Sequence, residues 1–228
     1  MRVYGTDRTD GAGAAAGVPV VAGLVLAAGG GRRLGGRPKA LLRHRGRPLV
    51  EHALSALRSG GCGPVHVVLG AAAEQVCAEA DLTEGVPVEN PDWAGGMGSS
   101  LRSGLDSFAD CGAAAVVVVL VDQPGIGAAA VRRVLAAGGG RRDALVSAAY
   151  GGERGHPVLF GADRWPEITR TAIGDRGARA YLRAHAPELT LVECGDVAEP
   201  YDIDTVADLD RLERPGMESP RGERRQGE

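Results

Sequence analysis

The chain has 228 residues, a formal net charge of −3, 44% hydrophobic residues and only 4% aromatics. That length suits one α/β domain with one core, and the mild negative charge excludes a general polyanionic partner such as nucleic acid. No apolar run nears the ~18 residues of a membrane span, and the scattered Cys62, Cys77, Cys111 and Cys194 form neither CxxC pairs nor a metal cluster, which predicts reduced thiols in a cytoplasmic protein.

Residues 1–20 are rich in Gly and Ala without periodicity, and 214–228 are charged with few large apolar side chains, so both ends are expected to be disordered tails around a domain at 21–213. Within that domain Val21–Ala28 is an apolar run that predicts a buried strand, Leu49–Arg58 has helical spacing, Val65–Leu69 reads as a strand and Ala71–Ala80 as a helix. A short strand at Val86–Val88, a helix at Ser99–Phe108, a strand at Ala113–Val121, a helix at Ala128–Ala137 and a strand at Ala144–Ala148 follow. The rhythm then loosens, with a strand at His156–Phe160, a helix at Arg176–Ala184, a strand at Leu189–Val192 and a last helix at Thr205–Leu212. Strands alternating with helices predict a three-layer, Rossmann-like α/β fold, a mostly parallel sheet with helices on both faces. The wholly apolar run Ala113–Val121 reads as a central strand that delivers Asp122 at its carboxyl end, the edge where such sheets bind ligands.

Basic residues are distributed unusually: twenty-five arginines and a single lysine, Lys39. A chain that uses Arg for nearly every basic role keeps Lys where a compact, mobile ammonium is needed and a planar guanidinium does not fit. Lys39 closes the segment Leu26-Ala27-Ala28-Gly29-Gly30-Gly31-Arg32-Arg33-Leu34-Gly35-Gly36-Arg37-Pro38-Lys39, which starts as the first strand ends. Glycines let successive backbone N–H groups turn toward one anion, and Arg33 and Lys39 reach the same phosphates, so a triphosphate fits this loop. It is not a P-loop, because no Gly-Lys-Ser/Thr places a metal-binding hydroxyl, and Leu34 stands where a dinucleotide fingerprint needs its third glycine.

Several other positions carry two readings. Gly98, Ser99 and Ser100 put small residues and hydroxyls at a helix start, suited to an anion or a base edge, while Ser99 serves equally as a helix N-cap. Asp204 reads alone as an N-cap ahead of Thr205–Leu212, and Asp122 alone as a turn acid. His156 stands between Gly155 and Pro157 with a structural hydrogen bond as its alternative role, and Arg176 and Arg179 either bind an anion or face solvent.

Together with the glycine loop, the motifs Gly96–Leu101, Asp122-Gln123-Pro124, Gly155–Val158, Gly174–Arg179 and Asp202–Thr205 resemble the molybdenum-cofactor nucleotidyltransferases, within the glycosyltransferase-A-like group. The family pattern L-A-[AG]-G-x-x-x-R-[ML]-G-x-x-K is met with one extra residue before the lysine. The resemblance implies that Leu26, Ala27, Ala28, Gly29, Gly30, Gly31, Arg33, Gly35, Lys39, Ser99, Ser100 and Asp122 bind the nucleotide. It implies that Gly98, Gln123, His156, Asp175 and Arg179 face the second substrate, and that Asp122 with Asp204, or Asp202 in its place, holds Mg²⁺. Lys39 and Arg33 are then the catalytic cations. Leu-Ala-Ala-Gly with Asp-Gln-Pro looks like the cytidylyltransferase branch, which points to CTP as donor and to a molybdopterin-type phosphorylated acceptor, with a molybdenum hydroxylase apoenzyme as a further partner. The alternatives are guanylyl or other nucleotidyl transfer to another small phosphorylated acceptor, an NAD(P)H-dependent oxidoreductase of the nicotine blue type, and a non-catalytic cofactor chaperone.

Overall fold

The structure, a computed structural model, describes residues 19–213. The tails expected at 1–20 and 214–228 fall outside that range apart from Pro19 and Val20.

Seven strands form one sheet: β1 (Val21–Leu26), β4 (Val65–Leu69), β5 (Val86–Glu89), β6 (Ala115–Leu120), β7 (Leu145–Tyr150), β8 (Glu153–Gly161) and β9 (Thr190–Glu193). Their order is β5-β4-β1-β6-β8-β7-β9, and every pairing is parallel except those of β8 with β6 and β7. The sheet is therefore mostly parallel, as the alternation of strands and helices implies. The reversal at β8 follows from a tight hairpin, because Gly151 and Gly152 both take positive φ (61° and 84°), the backbone a two-residue turn of right-handed twist requires.

Successive residues of β1 face opposite sides of the sheet, which sorts the core into two layers. Val21, Val25 and Ala27 join Val65, Val67, Val117 and Val119 under α1 (Leu49–Gly60), α2 (Ala73–Glu79) and α4 (Ala128–Gly138). Ala22, Leu24 and Leu26 join Val68, Val116 and Val118 under α3 (Met97–Asp106), α5 (Trp165–Thr171) and α6 (Arg179–Ala184). Each Val or Leu so enclosed contributes roughly 1.5–3 kcal/mol relative to exposure. α1 forms because Leu49, Val50, Leu54 and Leu57 share one face, and it stops at Gly61, whose φ of 104° lets the following N–H groups turn back onto the last carbonyls.

Four features depart from the sequence expectation. A two-stranded ribbon, β2 (Arg43–His44) and β3 (Arg47–Pro48), precedes α1, and α5 is an added helix. The helix expected over Arg176–Ala184 is split, because Gly177 sits at φ 50° between a 3₁₀ turn at Gly174–Arg176 and α6. The last helix is likewise a 3₁₀ turn at Val206–Asp208 followed by the single turn α7 (Asp210–Glu213). Among the described residues no helix is long and apolar enough to cross a membrane.

Candidate active site at the carboxyl edge of the sheet

β1 ends at Leu26, and the chain stays buried through Ala27 and Ala28, where the Ala27 N–H donates to Val68 O at 2.9 Å, before rising to the surface at Gly29. Gly31 takes φ 59°, and its carbonyl accepts from both Leu34 N (2.8 Å) and Gly36 N (3.1 Å), closing the loop upon itself. Leu34 is the loop's anchor in the core, 2% exposed, so the flanking Arg32, Arg33 and Gly35 are held outward. A 3₁₀ turn at Lys39–Leu41 follows the loop, fixed by Leu41 N to Pro38 O at 3.0 Å and by the buried Ala40.

Lys39 meets the acids there. Its Nζ donates to Asp122 Oδ2 at 2.6 Å and to Asp204 Oδ1 at 2.5 Å. Asp122 leaves the end of β6, and its carbonyl accepts from Ile203 N at 2.9 Å, which pins the 202–204 segment against that strand. Ile203 is wholly buried, and the acids on either side of it part: Asp204 turns to Lys39, while Asp202 accepts from Gln123 Nε2 at 2.8 Å. Asp204, and not Asp202, is thus the partner of the lysine. Arg33 stands farther off, 78% exposed and 3.9 Å from Asp204, a distance at which a solvated pair adds little.

Burial works against charge on Lys39, yet Asp122 and Asp204 outweigh it and hold the ammonium's pKa above the ordinary lysine value. Burial also pushes the Asp122 carboxyl above the usual carboxylate range; Lys39 counters only part of this, and the neighbouring charge of Asp202 adds to it. The causes differ: the two acids raise the Lys39 ammonium against its burial, whereas burial raises Asp122 against the lysine. The N-cap reading of Asp204 is corrected by the structure, because Thr205 is the cap and forms a reciprocal box with Asp208.

The start of α3 lies beside this cluster. Its N-cap is Gly96, without a side-chain cap, so Ser99 is not the N-cap the sequence offered. Ser99 and Ser100 are instead buried, and Asn90 Nδ2 donates to Ser99 Oγ (3.0 Å) and Ser100 Oγ (3.1 Å). The single Ser99 hydroxyl proton is shared between the carbonyls of Asp92 and Gly96, each 2.8 Å from Oγ. Asn90, 1% exposed, is a residue the sequence reading passed over; its signal was the Asn-Pro-Asp turn after a strand, and its Oδ1 accepts from Asp92 N. Gly98 is small for a packing reason, since a Cβ there would stand 2.7 Å from the Ala172 carbonyl.

A cavity of about 400 Å³ opens on the α3 side of the sheet, next to Asp202 and Gln123. Its floor is apolar, with Leu26, Leu101, Val118, Val158 and Phe160, and three arginines, Arg154, Arg176 and Arg179, line it together with the acids Glu153 and Asp202. His156 lies within β8 and lines the same cavity, and burial together with Arg179 and Arg154 pushes its imidazole down to about 4, so it is neutral at physiological pH. Gln123 Oε1 is buried without a hydrogen-bond partner among the described residues, where the acids and the cavity join. Asp175 approaches Gly96, where a Cβ would come within 2.4 Å of its Oδ1. The structure thus gathers Gly29–Gly35, Lys39, Asp122 and Asp204 at one place and Gln123, His156, Arg176 and Arg179 around an adjoining one.

Comparison with known proteins agrees with this geometry. A protein named nicotine blue oxidoreductase, from Paenarthrobacter nicotinovorans, is 43% identical over 202 residues, spanning 86% of this chain and 97% of its own length. A probable molybdenum cofactor guanylyltransferase from Opitutus terrae is 36% identical over 116 residues, 48% of this chain and 51% of that protein. The crystal structure of Rv0371c in complex with manganese, from Mycobacterium tuberculosis H37Rv, superposes with a TM-score of 0.69 at 29% identity, covering 86% of this chain and 98% of that one. The MobA-like NTP transferase domain matches residues 23–189. Because that match runs from the first strand to the turn before β9, the chain belongs to the MobA-like NTP transferase family of nucleotidyltransferases.

Proposed function

We propose that the protein transfers the CMP moiety of CTP to the phosphate of a molybdopterin-type acceptor, with release of pyrophosphate. The observation that carries this reading is Lys39, the chain's single lysine, joined to Asp122 and Asp204 at the close of a glycine loop. The backbone of Gly29–Gly35 cradles the triphosphate, and Lys39 and Arg33 neutralise it. The acceptor occupies the cavity, its anionic end toward Arg176 and Arg179. An acceptor phosphate oxygen attacks the α-phosphorus, the bond to the β-phosphate oxygen breaks, and the electron pair leaves with pyrophosphate. The nucleophile is already anionic, so no base is required, and the neutral, poorly basic His156 is left a positioning role.

Two carboxylates that already stabilise a cation between them suit a hard divalent ion, whose remaining positions phosphate oxygens and water would fill. Mg²⁺ held by Asp122 and Asp204 would supply charge neutralisation on the phosphates, and the manganese complex of the mycobacterial relative supports a divalent ion in this fold. The Leu26-Ala27-Ala28-Gly29 segment favours CTP, against which the guanylyltransferase relative sets GTP.

Pyrophosphate release is measured with CTP, GTP, ATP and UTP, Mg²⁺, and molybdopterin present or absent. CTP with molybdopterin is expected to turn over fastest; a preference for GTP overturns the base assignment, and silence with all four rejects transfer. Lys39→Ala is expected to lower turnover by at least about 10²-fold with its fold retained, the usual loss for a charge-stabilising group.

A second reading has its own support in the apolar cavity floor and the 43% identity to nicotine blue oxidoreductase: NAD(P)H-dependent reduction of an aromatic pigment. Metal-independent oxidation of NADPH by such a pigment, with no pyrophosphate release, is the result that selects it.

A further inference from the structure

Lys39 carries two assignments that one conformation does not satisfy. Its ammonium is taken up by Asp122 and Asp204, at 2.6 and 2.5 Å, with the side chain only 17% exposed. The proposed reaction needs that ammonium on phosphate oxygens and those carboxylates on a divalent cation. An ion binding both oxygens would lie about 2.1 Å from each, in the space Nζ fills. Like charges so close in a partly buried site repel strongly, so the two cations exclude each other.

We propose that Lys39 is a built-in stand-in for the metal: it holds the cation position between Asp122 and Asp204 until a polyphosphate draws the ammonium away, so that metal and nucleotide bind together. The inference rests on the nucleotidyl-transfer reading above. Three local features support it. The backbone at Lys39 is fixed by the 3₁₀ turn and the buried Ala40, so the exchange needs only rotation of a flexible four-carbon stem. Asp204 is 43% exposed, which gives an incoming ion access from solvent. The chain fills every other basic position with Arg, whose planar fork would grip the carboxylates in bidentate fashion and release them reluctantly. In the ligand-free protein the ammonium also keeps the 202–204 segment docked against β6 despite three neighbouring acids.

Displacing a resident cation lowers the apparent affinity of the metal alone, and a nucleotide that removes this competitor raises it; linkage makes the effect reciprocal. Mn²⁺ binding is measured by the electron paramagnetic resonance of the free ion, for wild type, Lys39→Ala, Lys39→Met and Lys39→Arg. Each is titrated alone and with the α,β-methylene analogues of CTP and GTP, which bind without transfer.

Without nucleotide, Lys39→Ala is expected to bind Mn²⁺ at least about tenfold more tightly than wild type, and Lys39→Arg no more tightly. The analogue is expected to raise Mn²⁺ affinity by a larger factor in wild type than in Lys39→Ala. Lys39→Met keeps the bulk of the stem, and thermal denaturation of each variant shows that its fold is retained. Asp122→Asn in the Lys39→Ala background is expected to abolish the gain. Equal or weaker Mn²⁺ binding by folded Lys39→Ala and Lys39→Met overturns the proposal, even where wild type still releases pyrophosphate. Absence of Mn²⁺ binding in every variant with the analogues present overturns it together with the transfer reading.

Discussion

At Gly31 the need for glycine is steric and conformational together. A Cβ built there would stand 1.8 Å from Arg37 O, and φ of 59° lies in the region that costs other L-residues roughly 1–2 kcal/mol. Gly29 is different, because a Cβ there meets nothing within 4 Å and its φ is outside the left-handed region. The fold therefore makes no demand for glycine at that position, whereas the proposed polyphosphate, approaching the backbone N–H groups, would. Gly29→Ala is expected to leave the melting temperature within about 1 °C of wild type, since an unstrained surface change is usually neutral, while raising the Kd for the nucleotide at least about tenfold. Gly31→Ala is expected to weaken binding and also stability, because the Arg37 carbonyl must move and the positive φ is strained. Differential scanning fluorimetry and isothermal titration with CTP separate the two; a Gly29→Ala variant of undiminished affinity removes the loop backbone from the phosphate site.

Asn90 shows how one element is placed by a side chain outside it. The N-terminus of α3 is tied at the sheet edge by the hydrogen bonds of Asn90, which donates to Ser99 and Ser100 and accepts from the Asp92 N–H. Truncation leaves buried hydroxyls without their donor, which costs about 1–3 kcal/mol. Asn90→Ala is expected to lower urea-unfolding stability by that amount and to raise the KM for nucleotide more than it lowers kcat, since α3 shifts while Lys39 and Asp122 stay; an unchanged KM would dissociate α3 from nucleotide binding. Elements with an unbroken period were legible from sequence. The run at 113–121 became β6, Val65–Leu69 became β4, and α1 and α4 lie where the apolar spacing put them. α5 was not legible, because Trp165-Pro166-Glu167-Ile168-Thr169-Arg170-Thr171 offers two turns, two Thr residues and one fully buried apolar position. The breaks at Gly177 and after Thr205 and the hairpin at Gly151-Gly152 did leave signals, since each has a glycine or a capping pair at the break, but apolar spacing alone carried the reading past them. The meeting of Lys39 with Asp122 and Asp204 spans 83 and 165 positions of sequence and follows no local pattern; the family resemblance and the strand-end placement of Asp122 implied only that they share one ligand, not that the lysine touches both acids.

Over the whole molecule a net charge of −3 conceals a division, with acids gathered on Lys39 and three arginines lining the cavity. That division makes stability depend on pH through His156. The imidazole is held at about 4 by burial and by Arg179 and Arg154, against 6.5 in the unfolded chain, so between those values the unfolded state binds more protons. The fold's stability is then complete above about pH 6.5 and declines as the pH falls toward 4, by at most about 3 kcal/mol from this residue. His52 and His66 are also lowered by burial and add to the decline in the same direction. His156→Gln keeps a polar side chain that does not titrate, so its stability is expected to fall less steeply between pH 6.5 and 4 than wild type in urea titrations at stepped pH. A multivalent anion bound between Arg154 and Arg179 should raise the imidazole pKa and flatten the same limb in wild type but not in His156→Gln. Parallel pH profiles for the two proteins, with and without such an anion, would mean that the cavity arginines do not act on His156 and that the cavity lacks the positive field on which the proposed acceptor binding depends.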